Sequence, residues 1–325
     1  MSLKFLVIQT SFLGDVILAT SIIEKLVSYF PNAAIDILIR KGNEAVLQNN
    51  PKIRELMVWE KQHHKFANLL KITKRVRQQG YDYIINLHRF GSSGFVTFWS
   101  GAKFKIGFHD NPFSIVYTHR FKHEIGNGLH EVQRNQQLIS WLTDANFARP
   151  KIYPVEVDFE NVRQYKTEKY ICIAPGSVWA TKRLPIDKWV ALCNQTRCKV
   201  YILGAPNESH WAKEIISKST HQNIVNLCSH LTLLQSAALM KDAAMNYVND
   251  SAPLHLCSAL DAPCTAFFCS TVPEFGFGPL TDGALVIQSP ISLDCKPCGI
   301  HGFNQCPQKH FKCGTTISIN TLPIP

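Results

Sequence analysis

Two loops and one acidic turn hold the residues best suited to chemistry. Ala174-Pro-Gly-Ser-Val-Trp-Ala-Thr-Lys-Arg183 follows the apolar run Tyr170-Ile-Cys-Ile-Ala174 and precedes Pro185-Ile-Asp-Lys-Trp-Val-Ala-Leu192. The run predicts a buried strand, and Pro in a first turn predicts a helix start. A loop at the C-terminal edge of such a strand is where open α/β sheets bind ligands. Gly176 lets backbone N–H groups approach an anion, Ser177 and Thr181 add hydroxyls, and Lys182 adds a point charge suited to phosphate. The same spacing also fits an ordinary strand-to-helix turn with a solvated Lys-Arg pair.

Val248-Asn-Asp-Ser-Ala-Pro-Leu-His255 is the second loop. Asp250 or Ser251 suits the cap of the following helix, and Pro253 suits its first turn. A helix N-terminus of this kind is either plainly capped, with His255 packed, or an anion site. Thr10-Ser-Phe-Leu-Gly-Asp15 places an acid after the first apolar run. Asp15 there is either a cap favoured by the helix dipole or a general base facing a cleft. The stretch lacks the G-x-G-x-x-G pattern, which disfavours a nicotinamide site.

Three further groups stand out. Lys61, His63, His64, Lys65, Lys71, Lys74, Arg75 and Arg77 form a basic cluster with only Glu60 nearby. It reads as a solvated helix face or as a docking surface for an anionic acceptor or lipid head groups, where each charge contributes about 1 kcal/mol near an anionic leaflet. Cys295-x2-Cys298-x7-Cys306-x6-Cys313 resembles a zinc-ligand spacing, and four thiolates would make any such site structural. Thr271-Val-Pro-Glu-Phe-Gly-Phe-Gly-Pro279 is a Gly/Pro-rich connector or cleft lining.

The chain has 325 residues, 46% hydrophobic and 18% charged, which fits two globular domains with large cores. The formal charge of +10 points to an acidic partner. No zinc finger, ribonucleoprotein signature or basic helix-turn-helix is present, so no nucleic acid is expected and a phosphorylated substrate or membrane surface remains. No apolar run reaches a bilayer-spanning length and no signal peptide precedes the first strand, so a cytoplasmic protein is expected. All 11 cysteines lie at Cys172 or later; the odd number argues against a disulfide framework, and Cys172, Cys193, Cys228, Cys257 and Cys264 sit in apolar runs as core residues.

Stepping along the chain, strands are predicted at 4–9, 32–39, 53–59 and 83–87, with helices at 16–30, 42–48 and 66–79 and another opening at Gly91-Ser-Ser-Gly94. Residues 108–127 read as a looser region, 129–145 as a helix, and 149–168 as the approach to a linker. The second half repeats the pattern, with strands at 170–174, 199–203, near Val225, at 245–249 and finally 263–268, and with helices near Ile186, to Ser217, at 231–240 and at 250–260. Such alternation implies α/β, doubly wound parallel sheets in two domains, 1–160 and 161–325.

Read together, several stretches resemble one family, the lipopolysaccharide-core heptosyltransferases of glycosyltransferase family 9. They are Leu13-Gly-Asp-Val-Ile-Leu-Ala-Thr20, Tyr29-Phe-Pro31, Asn50-Pro-Lys-Ile53, Tyr81-Asp-Tyr-Ile-Ile-Asn86, Gly101-Ala-Lys-Phe-Lys-Ile-Gly107, Pro175-Gly-Ser-x-Trp-x-Thr-Lys-Arg183, Gly204-Ala-Pro-x-Glu208 and Asn249-Asp-Ser-x-Pro-Leu-His-Leu256. They run in the family's order over nearly the whole chain. The resemblance implies a GT-B fold of two facing Rossmann-like domains with an interdomain cleft, the acceptor on the N-terminal domain and an ADP-sugar donor on the C-terminal one. It implies inverting transfer of heptose from ADP-heptose to lipid A–Kdo or inner-core lipopolysaccharide, with no cofactor or catalytic metal, by a cytoplasmic protein peripheral on the anionic inner membrane.

Residue by residue, Asp15 matches the family's general base. Ser177, Thr181 and Lys182 match the donor-phosphate site, and Glu208 a nucleoside-side contact. Asp250, Ser251, Leu254 and His255 match the loop that holds donor sugar and diphosphate. Lys61 and Lys65 are the expected acceptor contacts. Ala252 stands where the family usually has Gly, and Gln9 where an Arg is common. A GT-B enzyme using another nucleotide sugar, and an inactive sugar-nucleotide-binding protein, are the alternatives.

Overall fold

Apolar runs without polar alternation become central parallel strands covered on both faces, as their composition requires. A computed structural model describes residues 2–320 and 322–325. The chain divides into two compact units, Met1–Tyr153 and Pro154–Pro325.

The first unit runs β1 (Lys4–Ile8), α1 (Leu13–Tyr29), β2 (Ala34–Arg40), β3 (Glu55–Trp59), α2 (Lys65–Gln79), β4 (Tyr83–Asn86), α3 (Gly91–Trp99), β5 (Phe104–Phe108), β6 (His119–Phe121) and α4 (Glu131–Gln137). Its strands form one sheet in the order β3-β2-β1-β4-β5-β6. Every pairing is parallel, with Ile8 opposite both Leu38 and Asn86 at the C-terminal edge. Leu6, Ile8, Leu38, Trp59, Val76, Ile84 and Val96 form one core cluster of this unit.

The second unit opens with α5 (Glu156–Val162) and continues with β7 (Tyr170–Ala174), α6 (Ile186–Gln195), β8 (Lys199–Ile202), α7 (Ser209–Lys218), β9 (Ile224–Asn226), α8 (Leu233–Lys241), β10 (Met245–Asn249), α9 (Ala252–Leu260), β11 (Cys264–Phe268), β12 (Leu285–Gln288) and α10 (Lys312–Thr315). Its sheet order is β12-β11-β10-β7-β8-β9, again all parallel. Renumbered within the unit, this is the same 3-2-1-4-5-6 order as the first. Each sheet therefore has one switch point, between β1 and β4 and between β7 and β10, where chain connections leave in opposite directions. Trp189 and Phe267 pack edge to face in the second core.

Several expectations change. The looser region contains β5's last residue and β6, a three-residue edge strand (His-Arg-Phe) with no apolar run to betray it. The helix expected over 129–145 ends at Gln137, and turns follow. The supposed linker approach contains α5, which packs on α8, so the unit boundary falls at Tyr153 and not at residue 160. The strand over 263–268 is not the last: β12 lies at the sheet edge, half-buried, behind a Gly/Pro-rich stretch. The short helix over 42–48 is a 3-10 turn at Glu44–Leu47.

Candidate active site

In the first unit the chain leaves β1 and turns sharply. Ser11 N–H donates to the Gln9 side chain at 3.2 Å, and Phe12 N–H donates to Asp15 Oδ2 at 3.2 Å. Asp15 thus caps the start of α1 and is half-buried. Protein crowds the carboxylate nonetheless. Desolvation, and next the charge of Glu131, raise its pKa to about 6, against the lowering pull of Ser11, Phe12 N–H and Arg89.

Lys61 reaches this loop from the far side of β3. Its Nζ donates to Thr10 Oγ1 at 2.7 Å and lies 4.3 Å over the Trp59 ring. Burial, and then Arg40, bring its pKa down to about 8. His88, just after β4, is held to about 3 by burial and by Lys61 and Arg89, so it is neutral at physiological pH. Its Nδ1 lies 3.1 Å from Ser93 Oγ. These residues gather at the C-terminal ends of β1, β3 and β4. Lys65 stands exposed in the first turn of α2 and is not among the charges that act on Asp15. Sequence reasoning missed Arg40, His88, Arg89 and Glu131. For His88 and Arg89 the signal existed, since both directly follow an apolar strand, as Asp15's loop does.

In the second unit the loops after β7, β8 and β10 converge. Lys182 Nζ pairs with Asp250 Oδ2 at 2.7 Å, and Thr271 Oγ1 donates to the same oxygen at 2.6 Å. Asn249 ties the two loops together: its Oδ1 accepts Leu184 N–H at 3.0 Å and its Nδ2 donates to Pro175 O at 2.7 Å. Glu208 folds back so that Oε2 accepts Ala205 N–H at 2.8 Å. Its carboxylate occupies the space that a Cβ at Gly176 would need, and a Cβ at Gly204 would stand 2.8 Å from it. Arg183 stacks on Trp211 at 4.2 Å and donates to Ser177 O at 2.8 Å, which fixes the loop's curvature.

Four expected residues have other surroundings. Thr181 is buried, and its hydroxyl is engaged by the Phe303 backbone at 2.8 and 3.1 Å and by Ser270 Oγ at 3.0 Å, so it braces the loop. Leu254 is fully buried in the core, and only its backbone faces the turn, donating to Ser251 O at 3.0 Å. Ser251 makes no side-chain cap of α9; its Oγ points to Gly176 O at 3.4 Å, joining the β10 loop to the β7 loop. His255 is buried against Phe277.

Ser270, Gly302 and Phe303 are additions that no local spacing revealed, whereas Thr271 opens the Gly/Pro-rich stretch singled out in the sequence. The spaced cysteines come near one another: Cys295, Cys298 and Cys306 all act on the buried Cys313 thiol, and Cys298 Sγ bonds to Cys295 O at 3.3 Å. Among the described residues no group of three or more His, Cys, Asp or Glu side chains is arranged to hold a metal. The five cysteines expected in the core are buried there.

The sequence profile of glycosyltransferase family 9 (heptosyltransferase) matches residues 69–302. Lipopolysaccharide heptosyltransferase 1 of Campylobacter coli is 23% identical over 294 residues, 83% of this chain and 84% of that protein. The solved E. coli ADP-heptose lipopolysaccharide heptosyltransferase II superposes with a TM-score of 0.78 at 20% identity, covering 91% of this chain and 96% of that one. An E. coli heptosyltransferase solved with ADP gives a TM-score of 0.71 at 17% identity, covering 87% and 92%. The fold is accordingly the α/β, GT-B class, with two Rossmann-like doubly wound sheets.

The crowding of Asp15 has a thermodynamic consequence. A carboxyl whose folded pKa lies above its unfolded value binds more protons in the native state, so stability falls as pH rises from about 4 through about 6. Asp15→Asn removes that cost. Its Tm is expected to exceed wild type by about 1–3 °C at about pH 8, with the gain vanishing toward about pH 4, as read by differential scanning calorimetry. Equal Tm values at both pH values would show that the carboxylate pays no desolvation cost.

Proposed function

The chain belongs to glycosyltransferase family 9, the heptosyltransferases, and from that membership we propose that it moves heptose from ADP-heptose to an inner-core lipopolysaccharide acceptor with inversion. It is a glycosyltransferase of lipopolysaccharide biosynthesis by kinship with the enzymes above. The observation that supports the finer reading is a carboxylate of raised proton affinity at the switch point of the first unit's sheet, together with a Lys182–Asp250 ion pair at that of the second.

In the proposed reaction Asp15 accepts the proton of the acceptor hydroxyl as that oxygen forms a bond to the anomeric carbon. The bond from that carbon to the phosphate oxygen breaks on the opposite face, and ADP leaves with the electron pair, which inverts the configuration. Lys182 and the backbone N–H groups at the start of α9 supply positive potential where the diphosphate charge develops. In this reading Glu208 accepts hydrogen bonds from ribose hydroxyls, and the room that Gly176 and Gly204 leave for its carboxylate supports the role. Lys61, Arg40 and Arg89 favour an acceptor that is itself anionic.

Asp15→Asn is expected to lower transfer about 10³-fold, as loss of a general base does, while leaving ADP binding intact. Lys182→Ala is expected to weaken ADP binding about tenfold or more. Thermal shift with ADP, UDP, GDP and dTDP tests the donor, since a ligand of the native state raises Tm. Stabilisation by UDP, GDP or dTDP but not by ADP would refute the adenine assignment, and wild-type transfer by Asp15→Asn would refute the base.

The same reading extends to the membrane that carries such an acceptor. No helix among the described residues is long and apolar enough to cross a bilayer. α2, however, has no acidic residue, buries Ile72 and Val76, and leaves Phe66 and Leu70 exposed at 83% and 61% beside exposed Lys71 and Lys74. Large apolar side chains amid lysines suit the interface of an anionic leaflet. Flotation is expected with phosphatidylglycerol vesicles and not with phosphatidylcholine alone. The Phe66→Ser/Leu70→Ser double variant should lose binding several-fold. Equal flotation of both proteins would exclude this face.

A further inference from the structure

His88 stands one residue past Leu87, whose N–H donates to Ile8 O at 3.0 Å, so the β1–β4 pairing carries His88 level with Thr10. Ile8 packs with Val76 of α2 and Val96 of α3, and Asn86 Nδ2 donates to Thr97 Oγ1 of α3 at 3.0 Å. Side chains alternate along a strand, so Thr10 and His88, two residues further on, take the same side. Their contacts agree. Thr10 Oγ1 accepts from Lys61 Nζ at 2.7 Å, and His88 Nδ1 lies 3.1 Å from Oγ of Ser93 in the first turn of α3. Lys61 and His88 therefore stand together at the first unit's switch point, where the loop into α1 carries Asp15.

The hydrogen bonds fix which ring nitrogen is free. Ser93 is fully buried, and its Oγ lies 3.0 Å from His88 O and 2.9 Å from Phe90 O. Carbonyls only accept, so these two take the hydroxyl's single proton and Oγ offers the ring a lone pair. Nδ1 is then the protonated nitrogen, and Nε2 carries the ring's lone pair. The loop is braced around that orientation. Asn86 Oδ1 accepts His88 N–H at 3.0 Å, and Asn111 Nδ2 donates to His88 O at 3.0 Å and to Phe90 O at 3.1 Å. The Phe90 ring lies 4.9 Å from the imidazole, centre to centre. Nε2 has no partner among the described residues and is not sealed from water. Burial, with Lys61 and Arg89 after it, keeps the ring uncharged. A bare lone pair accepts an O–H and repels an oxyanion, whereas the Lys61 ammonium attracts the oxyanion. We infer that His88 determines acceptor specificity, its Nε2 taking a hydrogen bond from a hydroxyl of an anionic sugar whose charge lies against Lys61. The inference rests on the acceptor of the transfer proposed above binding at this edge.

The test uses the full chain and, as probe, de-O-acylated lipid A–Kdo. The chain is labelled with ¹⁵N-histidine, and the His88 signals are assigned by their loss in His88→Gln. Nε2 is expected to show the unprotonated shift from about pH 6 to about pH 8, and to move on titration with the probe in the absence of donor. His88→Phe keeps a ring against Phe90 and removes the lone pair. Its acceptor KM is expected to rise about three- to tenfold, as loss of one neutral hydrogen bond does, with the donor KM in place. His88→Gln, whose Oε1 can accept at similar reach, is expected to fall between Phe and wild type. That variant and the wild-type titration decide the matter if the Phe variant does not fold. A protonated Nε2, a wild-type acceptor KM in both variants, or a loss confined to kcat overturns the inference. An Nε2 signal that moves with the probe in an enzyme that transfers no heptose would instead support the inference and refute the proposed transfer.

Discussion

Parallel pairing of one central strand with two neighbours whose connections depart in opposite directions is the constraint from which both sites follow. β1 between β2 and β4, and β7 between β8 and β10, leave a gap at the C-terminal edge that no crossover helix covers. Because parallel strands run the same way, every loop at that edge begins where an apolar run ends. A short polar segment inserted there is presented without disturbing the core beneath it. Phe5 to Ile8 and Tyr170 to Ala174 are buried on both faces, so polar function is pushed to the strand ends.

That positional economy is reinforced by side chains that lock loops together. Asn249 joins the β10 strand end to the β7 loop by two short bonds, and Ser251 adds a third, longer link. Thr181 clasps the backbone of Phe303, far away in sequence, while Gly302 fits against Thr181 and Ser270 only because it lacks a Cβ. The region carrying the late cysteines thereby braces the loop after β7 through its backbone and packing.

The central strands and their helices were legible because burial on both faces forces a dense apolar run, and runs are visible in one dimension. β6 and β12 were not, since an edge strand buries little and needs no run. Asp15, Lys182 and Asp250 were legible from their place after a strand. The roles of Thr181, Ser251 and Leu254 were less so, because what a hydroxyl bonds or where a helical Leu points depends on partners such as Phe303, Gly176 and the surrounding core. Glu131 illustrates the limit. Nothing local marks it, and its bearing on Asp15 arises only when two helices that begin more than a hundred residues apart are packed side by side.

The two units share a fold and treat charge in opposite ways, which is why fold alone would not have assigned their chemistry. At the first edge, charges are partly withdrawn from water with few direct opposites: Asp15 is raised, Lys61 and His88 are lowered, each chiefly by burial. Desolvation without full pairing draws the proton affinities of Asp15 and Lys61 toward neutrality, the range in which a group can exchange a proton at useful speed, and keeps His88 uncharged. At the second edge the cation sits in direct contact with its anion, Lys182 with Asp250, and Thr271 completes the set. Close pairing fixes a charge in place at the expense of proton exchange. One sheet edge is thus physically suited to moving a proton and the other to holding a fixed charge, a division of labour achieved by burial in one case and by contact in the other.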